Sequence, residues 1–109
     1  MNGGKDKDKE KDEGGIDPKD YAALSGFLRG YLHQDARLVH GSPAEAARAF
    51  RRDADERRAA VVRAEMDRLL SATRQLPFAR LEEILERELG SAWRFRDRQE
   101  VEQLRDALR

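Results

Sequence analysis

Apolar residues in the body of this chain recur at spacings of three and four, and charge fills the positions between them. Tyr21, Leu24, Leu28 and Tyr31 form one series, with Phe27 alongside. Val62, Met66, Leu69 and Leu70 form a second, Phe78, Leu81, Leu85 and Leu89 a third, and Val101, Leu104 and Leu108 a fourth. That period is one face of an α-helix, and no stretch shows the sustained period-two alternation of a half-buried strand. Charged residues make up 40% of the chain against 39% hydrophobic, so the core is modest and the helices lie in thin layers. The length of 109 residues suits one domain. The expected fold is all-α: a compact bundle of about five short-to-medium helices, formed by residues 16–109.

Helix boundaries are marked by capping chemistry. Asp17-Pro18, with Asp20 three residues after the cap, opens the first helix, which gives way near His33-Gln34-Asp35. Ser42-Pro43-Ala44-Glu45 opens the next, with Ala46, Ala47 and Phe50 on its buried side. A break falls between Asp53 and Glu56, where an aspartate caps a new start, and the following pattern fades at Thr73. Pro77 starts a helix closed by Gly90, Trp93 and Phe95 plug the core from an irregular link, and Asp97 to Glu100 forms another capping box. Gly26 and Gly30, one turn apart inside the first helix, imply close approach of another backbone on that side. Residues 1–15, MNGGKDKDKEKDEGG, offer nothing to bury and are expected to be a disordered charged tail.

The same composition excludes several function classes. Basic and acidic residues balance at 22 each, which argues against the positive excess needed to displace counterions from nucleic-acid phosphates. No cysteine is present, so disulfides and thiolate metal sites are out. No apolar run approaches the ~20 residues of a membrane span, and Met1 to Glu13 has no apolar signal core, so a cytoplasmic protein is expected.

Catalytic constellations are scarce. There is no phosphate-cradling glycine loop, and none of Ser25, Ser42, Ser71 and Ser91 sits on a nucleophile elbow. His33, Asp35 and His40 have the composition of a metal or proton-relay site, yet they lack a fourth ligand or a nucleophile. They read instead as residues that stabilise a helix end and its exit loop, the histidine through the helix dipole and the aspartate by bonding nearby N–H groups. No catalytic residue, cofactor or metal is assigned. Arginines at 51, 52, 57, 58, 63 and 68 suggest a nucleic-acid stripe, but Glu45, Asp53, Asp55, Glu56, Glu65 and Asp67 are interleaved at helical spacing, and i,i+4 pairing on solvated faces accounts for them. Glu82, Glu83, Glu86 and Glu88, offset within their stretch only by Arg87, are the most one-signed segment; a solvated face accounts for them, and the functional reading beside it is a docking patch for a basic partner.

Tyr21-Ala-Ala-Leu24-Ser-Gly-Phe27-Leu28-Arg-Gly30-Tyr31-Leu32-His33-Gln34-Asp35, followed by Ser42-Pro43-Ala44-Glu45-Ala46 and Phe50, resembles the small helical immunity proteins of bacterial contact-dependent growth inhibition systems, whose signature has the form F-L-x-x-Y-x-x-Q-D. The resemblance is strongest over residues 21–50, loosens toward the C-terminus and leaves out the tail. The family pattern puts an aromatic residue after the Asp, where this chain has Ala36. The resemblance implies a non-enzymatic cytosolic protein that binds the C-terminal toxin domain of a large secreted effector, often a nuclease, and blocks it by stoichiometric occlusion. It transfers no contact residues. From the charge pattern, Glu82, Glu83, Glu86 and Glu88 are the expected contacts, with Asp35 an addition, and the protein is expected to be a monomer or weak homodimer that binds neither nucleic acid nor membrane. A helical adaptor for another cytosolic protein shares every bulk property and is the alternative.

Overall fold

The computed structural model describes residues 16–109. The segment expected to be a disordered tail lies outside the described residues. Within them, a 3-10 turn (Pro18–Tyr21) leads into α1 (Ala22–Tyr31), followed by α2 (Ala36–Val39), α3 (Pro43–Asp53), α4 (Glu56–Ala72), α5 (Phe78–Glu83) and α6 (Arg98–Ala107), with no strand. α5 runs on through a π-helical turn, Ile84–Glu88. The all-α expectation holds. The added element is α2, a single turn inside the expected exit loop. Its first residue, Ala36, is buried at 1% exposure, so a small side chain fills core space there.

The caps form where short polar side chains meet the free N–H groups of a first turn. Ser42 Oγ accepts from the Glu45 N–H at 3.2 Å, Asp55 Oδ1 from the Arg58 N–H at 2.7 Å and Asp97 Oδ1 from the Glu100 N–H at 2.9 Å. Glu100 reaches back, but to the Arg96 N–H (2.9 Å), one residue earlier than in a standard capping box. At the opening of the first helix, Asp17 Oδ1 accepts from the Lys19 N–H, which tightens the entry into a 3-10 turn. The free Leu24 N–H of α1 is taken up from across the fold by Glu65 Oε1 of α4, at 2.8 Å. Arg68, one turn further along α4, donates to the Asp20 carbonyl and lies over the Tyr21 ring. α4 therefore holds the entry of α1 by polar contacts as well as by packing.

α1 packs along α4 and α3 along α6, while α3 also touches α1 and α4. Leu24, Phe27 and Leu28 of α1 meet Ala46, Ala47 and Phe50 of α3 and Val62, Met66 and Leu69 of α4 in one buried cluster. Phe27 and Phe50 lie edge to face with ring centres 5.0 Å apart, and Tyr31 adds a second edge contact to Phe50 at 5.4 Å. Phe95 is buried and Trp93 half-buried against the cluster, as plugs. The π turn lies against the core. Its Leu89 N–H bonds to the Ile84 carbonyl five residues back, and Ile84, Leu85 and Leu89 on either side of that bond are all fully buried.

The expectation for Gly26 and Gly30 is overturned. Both are exposed, and a Cβ at either position meets nothing within 4 Å. Gly90 is different: its φ is +89°, and a Cβ there would lie 2.7 Å from the Arg29 side chain. Opposite outcomes are expected in urea unfolding. Gly26→Ala and Gly30→Ala should each stabilise by up to about 1 kcal/mol, whereas Gly90→Ala should destabilise by about 1–2 kcal/mol.

Candidate partner-binding surface

The glutamate-rich face is built by the packing of α5. Phe78, Leu81, Ile84, Leu85 and Leu89 turn toward the core, so the residues between them turn outward. The far end is fastened to α1: Ser25 Oγ donates to the Leu89 carbonyl at 2.8 Å and the Ala92 N–H to the Leu32 carbonyl at 2.9 Å. The near end is tied to the α4–α5 link by Arg98 of α6, whose guanidinium donates to the Leu76 carbonyl at 2.9 Å. The face is therefore a firm ridge fixed at both ends.

Its charge is partly compensated, and by a residue outside the acidic stretch. Arg80 meets Glu83 at 2.9 Å and Glu88 at 3.7 Å, while Arg87 meets Glu83 at 3.6 Å. Each of these partly exposed pairs contributes little, of order 0–1 kcal/mol. Their effect is to leave Glu82 and Glu86 as the carboxylates without an ion pair among the described residues. Both line an open depression of about 470 Å³ with Pro77, Ala79, Arg80, Glu83 and Arg87. A ligand meeting this surface finds two free carboxylates beside two arginines that are already engaged, which suits a cation-bearing partner surface.

Asp35 is not part of that depression. It is exposed beyond the end of α1 and lines a separate hollow with Arg29, His33, Gln34, Gly90 and Ala92. The local bond there also runs differently from the expectation. The His33 Nδ1 accepts from the Asp35 N–H at 3.1 Å, and the Asp35 carboxylate caps nothing. The rings of His33 and His40 are 6.4 Å apart between centres, and His40 stacks on Tyr31. Among the described residues no group of three His, Asp or Glu side chains is placed to hold a metal ion.

Sequence reasoning passed over two surface features near this hollow. Leu38 and Val39 on α2 are 88% and 61% exposed, and Arg37 lies over the half-buried Trp93. An adjacent Leu-Val pair with no large apolar neighbour three or four residues away was the available signal. The second feature is Tyr31, whose hydroxyl donates to Asp53 Oδ2 at 2.8 Å and so ties the end of α1 to the end of α3. Burial, and then the hydrogen bond to Asp53 and its charge, raise the Tyr31 pKa above the usual tyrosine value, with Arg58 opposing. The folded state thus favours the neutral phenol. That contribution is complete below about pH 10 and is lost as pH rises through the raised folded value. Tyr31→Phe should cost about 0.5–1.5 kcal/mol at neutral pH, and its deficit against the parent chain in urea unfolding should shrink above pH 10.

No helix among the described residues is long and apolar enough to cross a membrane. A family model described as CdiI immunity protein matches residues 20–106, which takes in α1 to α5 whole and all but the last residue of α6. No curated protein and no solved structure matches the chain.

Proposed function

The chain belongs to the CdiI immunity protein family, and we propose that it protects the cell that makes it by binding, one to one, the C-terminal toxin domain of a contact-dependent growth inhibition effector. Family membership over residues 20–106 carries this reading. The shape of the molecule supports it: a helical surface fastened at both ends of α5 can cover a toxin without rearranging, which keeps the entropic cost of association low. Neutralisation is then stoichiometric occlusion in the cytosol, with no chemistry performed by this chain.

For the contact we propose the α5 ridge. Glu82 and Glu86 are the leading residues, because their carboxylates lack ion pairs among the described residues. Glu83 and Glu88 are positioned by Arg80 and can exchange that partner for a cation of the toxin. Asp35, in its separate hollow, is an outlying contact on the α1 side. A toxin that acts on nucleic acid presents a basic surface around its active site, and an acidic ridge laid over it blocks the same electrostatic feature that recruits its substrate. The acidic face in this way favours a basic nuclease as the partner.

The test is a charge reversal measured with the cognate toxin domain. Glu82→Lys with Glu83→Lys and Glu86→Lys should slow association at least tenfold at low ionic strength and weaken protection of cells exposed to the toxin. Unchanged affinity at low salt would remove the ridge from the interface. Failure of the parent chain itself to bind that domain would remove the immunity reading.

A further inference from the structure

A second charged feature lies between α3 and α6. Arg48, Arg51 and Arg52 of α3 line an open groove of about 700 Å³ with Ala44, Gln103, Asp106 and Ala107. Spacings of three and four put the arginines on one exposed side of α3, while Ala46, Ala47, Ala49 and Phe50 face inward. We propose that this groove binds an acidic peptide segment of a protein partner, as a docking site separate from the α5 ridge.

The argument rests on where the neighbouring carboxylates are engaged. Helical spacing alone assigns the acids of α3 and α4 as partners of these arginines, and the structure does not bear that out. Asp53 accepts from the Tyr31 hydroxyl, Asp55 caps α4, Glu65 accepts from the Leu24 N–H, and Asp67 approaches Arg105 at 4.0 Å. Only Glu45 meets an arginine of the groove, Arg48. Asp106, the one carboxylate in the lining, is held by Arg105 at 2.8 Å. Arg51 and Arg52 form no ion pair among the described residues.

The groove is therefore positive, and its counter-charge is taken up by folding. Guanidinium forks match carboxylates by paired N–H···O bonds. Ala44 and Ala107 offer methyl groups to the stem of an aspartate or glutamate, and the Gln103 amide can both donate to and accept from a peptide backbone. A nucleic-acid backbone fits less well, because Glu45 and Asp106 interrupt the positive strip that continuous phosphate contact needs.

The experiment uses the full chain and a dye-labelled octapeptide of alternating glutamate and alanine, followed by fluorescence anisotropy at low ionic strength. The parent chain should bind it, and the Arg51→Glu, Arg52→Glu variant should bind at least tenfold more weakly with an unchanged melting temperature. The Glu82→Lys, Glu86→Lys variant should bind as the parent does, which keeps this result independent of the ridge and of the immunity reading. If the double arginine variant does not fold, Arg51→Gln with Arg52→Gln replaces it, with the same loss expected. No binding by the parent chain, equal binding by the arginine variants, or equal binding of a lysine–alanine peptide would overturn the proposal. So would tighter binding of an eight-nucleotide single-stranded DNA that is lost in the same arginine variants, which would make the groove a nucleic-acid site.

Discussion

The contact between Phe27 and Phe50 is the one on which the other packing depends. Their rings meet edge to face at the crossing of α1 and α3, and α4 closes over both with Val62, Met66 and Leu69. Among the described residues there is no second buried cluster to take over if this one loosens. The two helix pairs, α1 with α4 and α3 with α6, are joined into one body through this crossing and the neighbouring contacts of α3 and α6 with α4. Tyr31 extends the aromatic group to the surface, where its hydroxyl finds Asp53. The buried edge of the cluster and its polar outer end thus fix the same pair of helices.

Around this core the polar residues fall into two kinds, and the difference decides what the surface can do. Some are consumed by folding: Asp55 and Asp97 cap helices, Glu65 completes the entry of α1, and Arg98 holds the link before α5. Others, Glu82 and Glu86 on one face and Arg51 and Arg52 on another, make no ion pair among the described residues. A chain with balanced total charge in this way presents faces of opposite sign. Net charge describes the sum, whereas recognition reads the arrangement.

Much of the architecture was legible in the sequence because it is specified locally. Ser42, Asp55 and Asp97 cap where their spacing to the next turn says they should, Thr73 ends α4, and the apolar stripes are the core. The family, too, was legible in a short motif whose Leu24, Phe27 and Leu28 are buried packing residues. The parts that were not legible depend on residues distant in the chain. Arg80 compensates Glu88 eight positions on, Glu65 serves an N–H forty-one positions away, and Gly26 and Gly30 face open space where a neighbouring backbone was expected. Spacing identifies which residues share a face. It does not identify what lies opposite that face, and the partners of Leu24 and Arg98 are decided there.

The π turn at the end of α5 has a consequence for how such a surface changes over generations. A π turn is an α-helix that has taken in one extra residue. Loss of a single residue from Ile84–Glu88 restores ordinary helical spacing. Five residues of a π turn sweep about the same angle as four of an α-helix, so the residue after the turn keeps its phase with or without the insertion. Phe78 and Leu81 before the turn and the Ser25–Leu89 hydrogen bond after it can therefore stay in place when the chain gains or loses one residue there. A change of one codon in length is absorbed where the helix is already irregular, so this stretch of surface can vary in length as well as in side-chain identity without disturbing the core.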